Sequence, residues 1–314
     1  MMQTSSPTPV QHIITPETRA AGIQLYIKRD DLIHPFVSGN KWRKLKYNLQ
    51  EAGNLNKDTL LTFGGAFSNH IYSTAAAAAM HGFRSVGIIR GEETLPLNPT
   101  LSFARNAGMQ IHYMDRSRYR EKDSPELIRQ LREEHGDFYL IPEGGSGPLA
   151  VKGVSELVAE ISFPFDYICT PVGTGGTMAG LIAGAPPAAQ VLGFAALRAE
   201  NYLEEEVRNL LSQNNSTNLP GWHICHDYHF GGYARIDKKL ASFIASFESS
   251  FAIPLDPVYT SKMFFGLLDL ISKGYFEKGK TIIALHTGGL QGKAGMQPKI
   301  EKLLAGSAWS GLFL

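Results

Sequence analysis

The chain has 314 residues, of which 43% are hydrophobic and 19% are charged, an ordinary composition for a globular protein. At roughly 150 residues per domain, this length predicts one large domain or two moderate ones. Lysine and arginine total 30 against 29 acidic residues, so the net charge of +1 creates no overall field that would attract nucleic acid. We therefore expect no nucleic-acid partner.

The two cysteines and the N-terminal residues indicate the cellular compartment in which the protein is expected. Cys169 and Cys225 show no CxxC or Cys/His metal spacing, so we expect reduced, buried thiols and no metal site. The start MMQTSSPTPV has no basic segment followed by an apolar one, and no apolar run approaches about 18 residues. We expect a cytoplasmic protein with no membrane partner.

Short apolar runs alternate with helical patterns along almost the whole chain. The runs typical of strands are 23–27, 59–63, 85–90, 110–114, 137–141, 166–170, 190–194 and 281–285. The helical patterns are 41–52, 67–81, 98–107, 124–135, 149–161, 177–184, 201–212, 235–249 and 258–273. This alternation predicts an α/β fold of parallel sheets with helices on both faces. The turn-forming letters PEGGSGP at 142–148 indicate a boundary between two lobes.

The first unusual segment is the helix that follows a Ser-Gly-Asn turn, FVSGNKWRKLKYNL at 36–49. Its apolar stripe consists of Trp42, Leu45, Leu49 and Ala52. Lys41 is the basic residue closest to that stripe, whereas Arg43 and Lys44 point toward solvent or the other lobe, and Lys46 is partly exposed. The helix N-terminus and the neighbouring cations disfavour an ammonium, so we expect a lowered pKa for Lys41. Schiff-base chemistry needs such a lysine.

The strand 59–63 is followed by GGAFSNH, which places Ser68, Asn69 and His70 in the first turn of an alanine-rich helix. Free backbone donors at a helix start suit a carboxylate. Ser68 or Asn69 can equally serve as a simple helix cap, and a lone histidine such as His70 is more often structural than catalytic. The motif alone leaves both interpretations open.

The strand 166–170 is followed by PVGTGGTMAGL, with Gly173, Gly175 and Gly176 ahead of a helix that begins near Thr177. Converging backbone N–H groups and a helix N-terminus suit a phosphate, although a plain glycine-rich turn remains an alternative. The segment lacks the lysine of a P-loop, and Met178 replaces the third glycine of GxGxxG. These differences disfavour a nucleoside triphosphate and a dinucleotide, and with them a Rossmann oxidoreductase.

Three hydroxyl residues follow glycines or begin a helix near the C-terminal end. Tyr233 follows the paired glycines of HFGGYAR, Tyr259 begins the helix in DPVYTSKM, and Thr287 lies at a strand end in HTGG. A tyrosine in a cleft can transfer protons, but most tyrosines pack with a satisfied hydroxyl.

Six motifs resemble, in order and across nearly the whole chain, those of the D-cysteine desulfhydrase and 1-aminocyclopropane-1-carboxylate deaminase family. They are YIKRDDL (26–32), SGNKWRKL (38–45), GGAFSNH (64–70), GTGGT (173–177), DPVYTSKM (256–263) and HTGG (286–289). The resemblance implies the tryptophan-synthase-β-like fold, fold type II, of enzymes that use pyridoxal 5'-phosphate (PLP), with two open parallel-sheet α/β domains. It implies a larger cofactor-binding domain, 1–44 and 148–314, and a smaller inserted domain, 45–147. It also implies a small amino-acid substrate and a homodimer.

The resemblance also implies roles for single residues. Lys41 would bond to the cofactor and later move the α-proton, Asn69 would hydrogen-bond the ring hydroxyl of the cofactor, and Thr287 would face its pyridine nitrogen. The phosphate would be bound by Gly173, Thr174, Gly175, Gly176 and Thr177. The substrate carboxylate would be held by Ser68, Asn69 and His70. The catalytic residues would be Lys41, Ser68, Tyr233 and Tyr259.

Thr260 bears on the reaction. Family members that open the cyclopropane ring carry a glutamate directly after the second tyrosine, where this chain has Thr260. A carboxylate would keep the pyridine protonated and strengthen it as an electron sink, whereas a hydroxyl would not. We therefore favour β-elimination of D-cysteine to pyruvate, ammonia and hydrogen sulfide.

Two alternatives stay open. One is a 1-aminocyclopropane-1-carboxylate deaminase that yields 2-oxobutanoate and ammonia. The other is a PLP-binding protein with little turnover, because Phe67 replaces a glutamine of the family pattern, and Tyr72 and Ser73 replace an Arg-Gln pair. These departures flank the expected carboxylate site.

Overall fold

The computed structural model describes residues 7–199 and 201–305. The strands are β1 Val10–Ile13, β2 Gln24–Lys28, β3 Thr59–Gly65, β4 Arg84–Arg90, β5 Met109–Met114, β6 Tyr139–Ile141, β7 Tyr167–Val172, β8 Gln190–Ala195, β9 Gly221–Cys225 and β10 Thr281–Leu285. The helices are α1 Pro16–Ala21, α2 Asn40–Asn54, α3 Asn69–His81, α4 Pro99–Asn106, α5 Arg116–Tyr119, α6 Pro125–His135, α7 Pro148–Ser155, α8 Gly176–Gly184, α9 Tyr202–Gln213, α10 Lys238–Phe251, α11 Thr260–Ser272 and α12 Lys293–Leu304.

The strands form two separate sheets. One has the order β1-β2-β10-β7-β8-β9, and the other has the order β5-β4-β3-β6. Every neighbouring pair is parallel except β1 and β2 at one edge, which are antiparallel. The strands carry near-continuous apolar runs such as TIIAL in β10, because helices cover both faces of such sheets. The prediction of parallel α/β sheets is confirmed.

The two sheets divide the chain unequally. All strands of the four-stranded sheet lie between Thr59 and Ile141, and the six-stranded sheet takes strands from both sides of that stretch. The domain limits 1–44, 45–147 and 148–314 stay a prediction, and residues 1–6 and 306–314 lie outside the described part of the chain.

Several elements differ from the sequence-based expectation. The short elements β1, β9, α1 and α5 and the helix α12 were not predicted, because each has only a few periodic residues or, in α12, an internal proline, Pro298. The helix expected over 149–161 ends at Ser155, and a short 3₁₀ turn, Val158–Glu160, follows it. That turn directs the Glu160 carboxylate toward Lys28 and Arg43.

Helix α2 is buried on more than one side. Its apolar stripe packs against β3 and α3, and its opposite side packs tightly on α7. At this contact a Cβ on Gly153 would lie 2.1 Å from the carbonyl oxygen of Arg43, so only glycine allows the two helices to approach so closely. The packing on α7 is what removes the expected solvent-exposed face of α2.

In the described part of the chain, no helix is both long and apolar enough to cross a lipid bilayer.

Candidate active site

One cavity of about 300 Å³ lies where the carboxyl end of β3 faces the carboxyl end of β7. Such strand ends are where open α/β sheets bind ligands. Eleven of the predicted site residues line it: Lys41, Ser68, Asn69, His70, Gly173, Thr174, Gly175, Thr177, Tyr233, Tyr259 and Thr287. Gly176 lies just behind the wall, where a Cβ would be 2.9 Å from the Lys44 nitrogen. The structure therefore brings the predicted residues together, while their individual roles stay predictions.

Lys41 begins α2 through a turn that requires glycine. Gly39 has φ 62°, and a Cβ on it would lie 1.9 Å from the Thr287 carbonyl oxygen. The next residue, Asn40, donates its N–H to that oxygen at 3.2 Å. The tight crossing of the two segments places Lys41 and Thr287 on the same cavity wall.

The Lys41 Nζ atom makes no hydrogen bond or ion pair with any residue in 7–199 or 201–305. Burial lowers the pKa of Lys41 to about 8, against an opposing influence of Asp256. The expected lowering is present, but its main cause is burial and not the helix N-terminus or the neighbouring cations. An amine of this kind is a suitable nucleophile and proton acceptor near neutral pH.

The orientation predicted for Arg43 and Lys44 is wrong. Both side chains are buried, at 4% and 2% exposure, because α7 and the turn at 143–146 cover that side of α2. Lys44 Nζ donates to the Gly144 carbonyl at 3.1 Å and to Ser146 Oγ at 3.2 Å. Burial, and secondarily the nearby charge of Lys41, hold the pKa of Lys44 well below its usual range. Lys46 is partly exposed, as expected, and pairs with Glu156.

The glycine loop after β7 presents several free backbone donors to the cavity. The N–H groups of Gly175, Thr177 and Met178 have no acceptor among the described residues. Gly175 has φ 74°, a left-handed conformation that turns the loop into α8. Free N–H groups at a helix start, beside the buried amine of Lys44, form a site for an anion.

Hydroxyl groups hold this loop in place. Ser146 Oγ and Thr174 Oγ1 are 2.6 Å apart and hydrogen-bonded, and the Asn40 side chain donates to Thr177 Oγ1 at 2.8 Å. These contacts connect the loop to the turn at 143–146 and to the start of α2.

Ser68 is the N-cap of α3, and its Oγ accepts from the backbone N–H groups of His70 and Ile71. Its hydroxyl proton is therefore left to donate into the cavity. Asn69 is oriented from the other side, because Gln291 donates to its Oδ1 at 2.7 Å. Ser68 therefore caps the helix and also lines the cavity, and Asn69 lines the cavity beside it.

The His70 ring is held by threonines. Its Nε2 lies 2.7 Å from Thr62 Oγ1, and its Nδ1 lies 3.5 Å from Thr74 Oγ1. Burial, with the charges of Lys41 and Lys44, keeps the pKa of His70 well below its usual range, so the ring is neutral. Both ring nitrogens are engaged, which leaves no ring donor for a substrate carboxylate.

Tyr233 and Tyr259 face each other across the cavity. Their ring centroids are 6.1 Å apart in an edge-to-face arrangement. Burial raises the pKa of Tyr259 well above its usual range, and it also raises the pKa of Tyr233. Both phenols are therefore protonated at neutral pH and can donate.

Thr260 points away from the cavity. Its hydroxyl accepts from the Asp256 N–H at 2.9 Å and donates to the Asp256 carbonyl at 3.3 Å, and its side chain is fully buried. Thr287, by contrast, lines the cavity, and its hydroxyl has no partner among the described residues. Thr260 therefore belongs to the turn at 256–260, and Thr287 supplies a free hydroxyl.

Sequence reasoning missed four charged or aromatic residues of the wall. Lys44, Arg90, Glu143 and Tyr202 all line the cavity. A signal for Lys44 was available, because positions three apart on a helix share a face and Lys44 follows Lys41 by three. Arg90 is the last residue of β4, and Glu143 follows β6; these two strands flank β3. No sequence motif indicated either residue.

Comparison with known proteins matches residues 1–288 to the model of the pyridoxal-phosphate dependent enzymes. The chain belongs to this family. A Pyrococcus abyssi protein named "Putative 1-aminocyclopropane-1-carboxylate deaminase" is 36% identical over 91% of this chain and 90% of its own length. A mitochondrial Arabidopsis thaliana protein named as a bifunctional D-cysteine desulfhydrase and 1-aminocyclopropane-1-carboxylate deaminase is 32% identical over 95% and 79%. A crystal structure described as an ACC deaminase homologue superposes with a TM-score of 0.85, at 32% identity, covering 97% of this chain and 96% of that one.

Family membership confirms the predicted resemblance, the fold type II architecture and PLP as the cofactor of this enzyme. The cavity fits the cofactor on its own chemistry. It combines an uncommitted amine at Lys41, an anion site formed by free N–H groups beside Lys44, and an unpartnered hydroxyl at Thr287. An aldehyde, a phosphate and a pyridine nitrogen are the groups that such residues can accept.

Proposed function

We propose that this PLP-dependent enzyme eliminates the β-substituent of a small D-amino acid, with D-cysteine as the main substrate. D-cysteine and water would give pyruvate, ammonia and hydrogen sulfide. The observation that carries the proposal is the neutral hydroxyl of Thr287 on the wall expected to face the pyridine nitrogen. In the residues described, Glu143 is the one carboxylate that lines the cavity, and it is paired with Lys122, whose Nζ lies 3.6 Å from Glu143 Oε2.

Asp256 lies near this wall but is committed elsewhere. Its two carboxylate oxygens accept the backbone N–H groups of Val258, Tyr259 and Thr260 at 2.8 to 3.0 Å. Asp256 does not line the cavity. A site without a free carboxylate for the pyridine nitrogen suits a reaction in which a good leaving group departs at once from the β-carbon.

When bound, PLP withdraws electrons from the α-carbon of an attached amino acid. We propose that Lys41 Nζ takes up the α-proton, since an amine with a pKa of about 8 is partly neutral at neutral pH. The Ser68 hydroxyl and the Asn69 N–H would hold the substrate carboxylate at the start of α3. The leaving thiolate needs little protonation because its thiol has a pKa of about 8.5, and Tyr233 and Tyr259 face the place where it would depart.

The remaining assignments concern the cofactor. We propose that Asn69 bonds the ring hydroxyl, and that Gly173, Thr174, Gly175, Gly176 and Thr177 bind the phosphate together with Lys44. The free N–H groups of the loop and the buried Lys44 amine, which a bound phosphate would keep protonated, support this assignment. His70 would support Ser68 and Asn69 through its place in α3 and would not contact the carboxylate through its ring.

Deamination of 1-aminocyclopropane-1-carboxylate remains the second candidate because the names of the Pyrococcus and Arabidopsis relatives include that activity. The idea of a protein with little turnover is less well supported. Phe67 is 51% exposed and lies near Gly295, and Tyr72 stacks on Phe103 with centroids 3.8 Å apart. Neither they nor Ser73 line the cavity.

A comparison of two products tests the proposal. The purified holoenzyme should form pyruvate and sulfide from D-cysteine faster than it forms 2-oxobutanoate from the cyclopropane acid. Lys41→Ala should lower the D-cysteine rate by at least about 10³-fold and abolish the borohydride-reducible absorbance of bound PLP.

The matched control is Lys46→Ala, which removes a partly exposed lysine of the same helix and should leave both rates and the absorbance unchanged. Faster 2-oxobutanoate formation would favour the second candidate. If the protein binds PLP but forms no product from either substrate, the proposed reaction is contradicted.

We also propose that the enzyme works as a cytoplasmic homodimer, which rests on the family resemblance. Light scattering behind a sizing column should give twice the chain mass, and a single-chain mass would reject the dimer.

A further inference from the structure

Lys262 is a buried lysine outside the cavity that the proposed reaction does not use. It lies in the first turn of α11, and its side chain is 1% exposed. Its Nζ donates to three backbone carbonyl oxygens, of Ala196 at 3.0 Å, His229 at 2.9 Å and Gly232 at 2.7 Å. An ammonium has three donors, so all of its donors are satisfied.

This site has the chemistry of a cation enclosed by carbonyl dipoles. Lys262 forms no ion pair with a carboxylate in the described residues. Burial lowers the pKa of Lys262 to about 8, while Asp256 raises it and Lys299 lowers it further. A buried lysine without a carboxylate partner lowers the stability of the fold. We therefore look for its function in the three carbonyl groups that it binds.

The three carbonyls belong to segments that carry cavity residues. Ala196 directly precedes Leu197, and Gly232 directly precedes Tyr233, and both Leu197 and Tyr233 line the cavity. Lys262 itself follows Tyr259 by three residues. One ammonium therefore joins the chain segments that hold the two facing tyrosines.

The segment 229–235 depends on such an external anchor. It is neither helix nor strand, and Phe230, Gly231, Gly232 and Ala234 all have positive φ, between 52° and 115°. Its internal hydrogen bonds are the backbone bonds from Gly232 to His229 and from Arg235 to Gly232, and the bond from the Gly231 N–H to His229 Nδ1. None of the three involves Tyr233, so four left-handed residues with these bonds cannot fix the Tyr233 position alone.

We propose that Lys262 is a positioning residue whose ammonium serves as a built-in monovalent cation, holding the segment 229–235 so that Tyr233 faces Tyr259. This inference rests on the proposed function only for the statement that Tyr233 acts on the substrate. The position of the segment 229–235 depends on Lys262 whether or not a substrate is bound.

Removal of the side chain while the carbonyls remain should make the site responsive to added cations. In the Lys262→Ala holoenzyme, amide hydrogen exchange of the segment 229–235 should be at least about tenfold faster than in wild type, because hydrogen bonds to a charged group are lost. Ammonium or ethylammonium chloride should slow that exchange toward the wild-type rate. The D-cysteine rate should fall and recover in parallel, while PLP absorbance is retained.

Two variants and one salt serve as controls. Lys262→Met fills the space without a charge, so its exchange should be fast and ammonium should not slow it. Lys273→Ala removes an exposed lysine of the same helix and should behave as wild type. Tetramethylammonium, which has no N–H donor, should rescue neither variant.

The outcomes separate this inference from the proposed reaction. The positioning role would be overturned if amide hydrogen exchange of the segment 229–235 were as slow as in wild type in either Lys262→Ala or Lys262→Met. If Lys262→Ala does not fold, the Lys262→Met result alone decides. Cation-dependent exchange in a protein that is inactive on D-cysteine even as wild type would refute the proposed substrate and leave the positioning role standing.

Discussion

Buried basic residues in and beside α2 form two groups whose surroundings are opposite. Arg43 donates to Asp30 at 2.6 Å and to Glu160 at 2.7 Å, and Lys28 donates to the same Glu160 at 2.6 Å. We call these four residues the paired cluster. Lys41 and Lys44, the unpaired lysines, have no ion pair with a carboxylate in the described chain.

The pKa values of the two groups differ accordingly. Burial alone would lower the pKa of Arg43, but the bonds to Asp30 and Glu160 outweigh it and raise that pKa. Burial alone would raise the pKa of Glu160, and the bonds from Arg43 and Lys28 lower it instead. In Lys41 and Lys44 burial prevails and lowers the pKa. In α2 the buried cation with carboxylate partners stabilises the fold, whereas the two lysines without such partners line the cavity and are available to a ligand.

The largest effect should come from breaking the paired cluster. Arg43→Met leaves the fully buried Asp30 carboxylate without its main partner, so we expect a loss of about 3–5 kcal/mol in the free energy of unfolding. Urea unfolding of wild type and variant measures it. Lys46→Met breaks a half-exposed pair with Glu156 and should cost less than about 1 kcal/mol. A loss in Arg43→Met as small as that in Lys46→Met would contradict the stabilising role of the paired cluster.

A change in the unpaired lysines should affect the ligand more than the fold. Lys44→Met removes the buried amine beside the glycine loop, which a bound phosphate would keep protonated, and we expect PLP to bind about 10- to 100-fold more weakly, the value of one charge-assisted hydrogen bond. Equilibrium dialysis of PLP measures this. The urea midpoint of the cofactor-free variant should not fall, because no buried carboxylate loses a partner. Unchanged PLP affinity with lowered stability would place Lys44 with the paired cluster instead.

The smallest effect is a pH dependence of stability. In the folded, cofactor-free chain Lys41 has a pKa of about 8, and in the unfolded chain its pKa is near the usual value of 10.5. Between these values the unfolded chain binds more protons, so the Lys41 contribution to stability increases as pH rises. We expect wild type to gain about 1.5 kcal/mol relative to Lys41→Met from pH 8 to pH 9.5. A gain toward lower pH would have the wrong sign for a lowered lysine pKa.

Much of the site could be predicted because its residues follow strand ends. Parallel strands bring their carboxyl ends to one edge of a sheet, so the loops after β7 and β10 meet whatever their separation in sequence. The loop after β3 joins them because the carboxyl edge of the four-stranded sheet faces that edge across the cavity. Lys41 was found for a different reason, its place at a turn-to-helix junction near the apolar stripe. The helical wheel misplaced Arg43 and Lys44, because it assumes one buried face and α2 is also covered by α7.

The meaning of Thr260 also depended on the fold. Its position after Tyr259 suggested a residue facing the cofactor, but its hydroxyl is used by Asp256 within the turn. Which of two neighbouring hydroxyls points into a cavity depends on backbone direction, and a motif does not encode that direction. The free hydroxyl is that of Thr287.

The sequence by itself determined the alternation of strands and helices, the glycine turns and the family motifs, because apolar periodicity and turn chemistry are local properties. Only the tertiary structure decided which cations have carboxylate partners. Asp30 lies in a 3₁₀ turn after β2 and Glu160 in the 3₁₀ turn after α7, and they meet Arg43 only because both turns fold against α2. The function of a buried lysine or arginine therefore depends on such non-local partners. Arg43 and Lys44 are adjacent in sequence, but Arg43 pairs with carboxylates of the fold, whereas Lys44 lines the cavity.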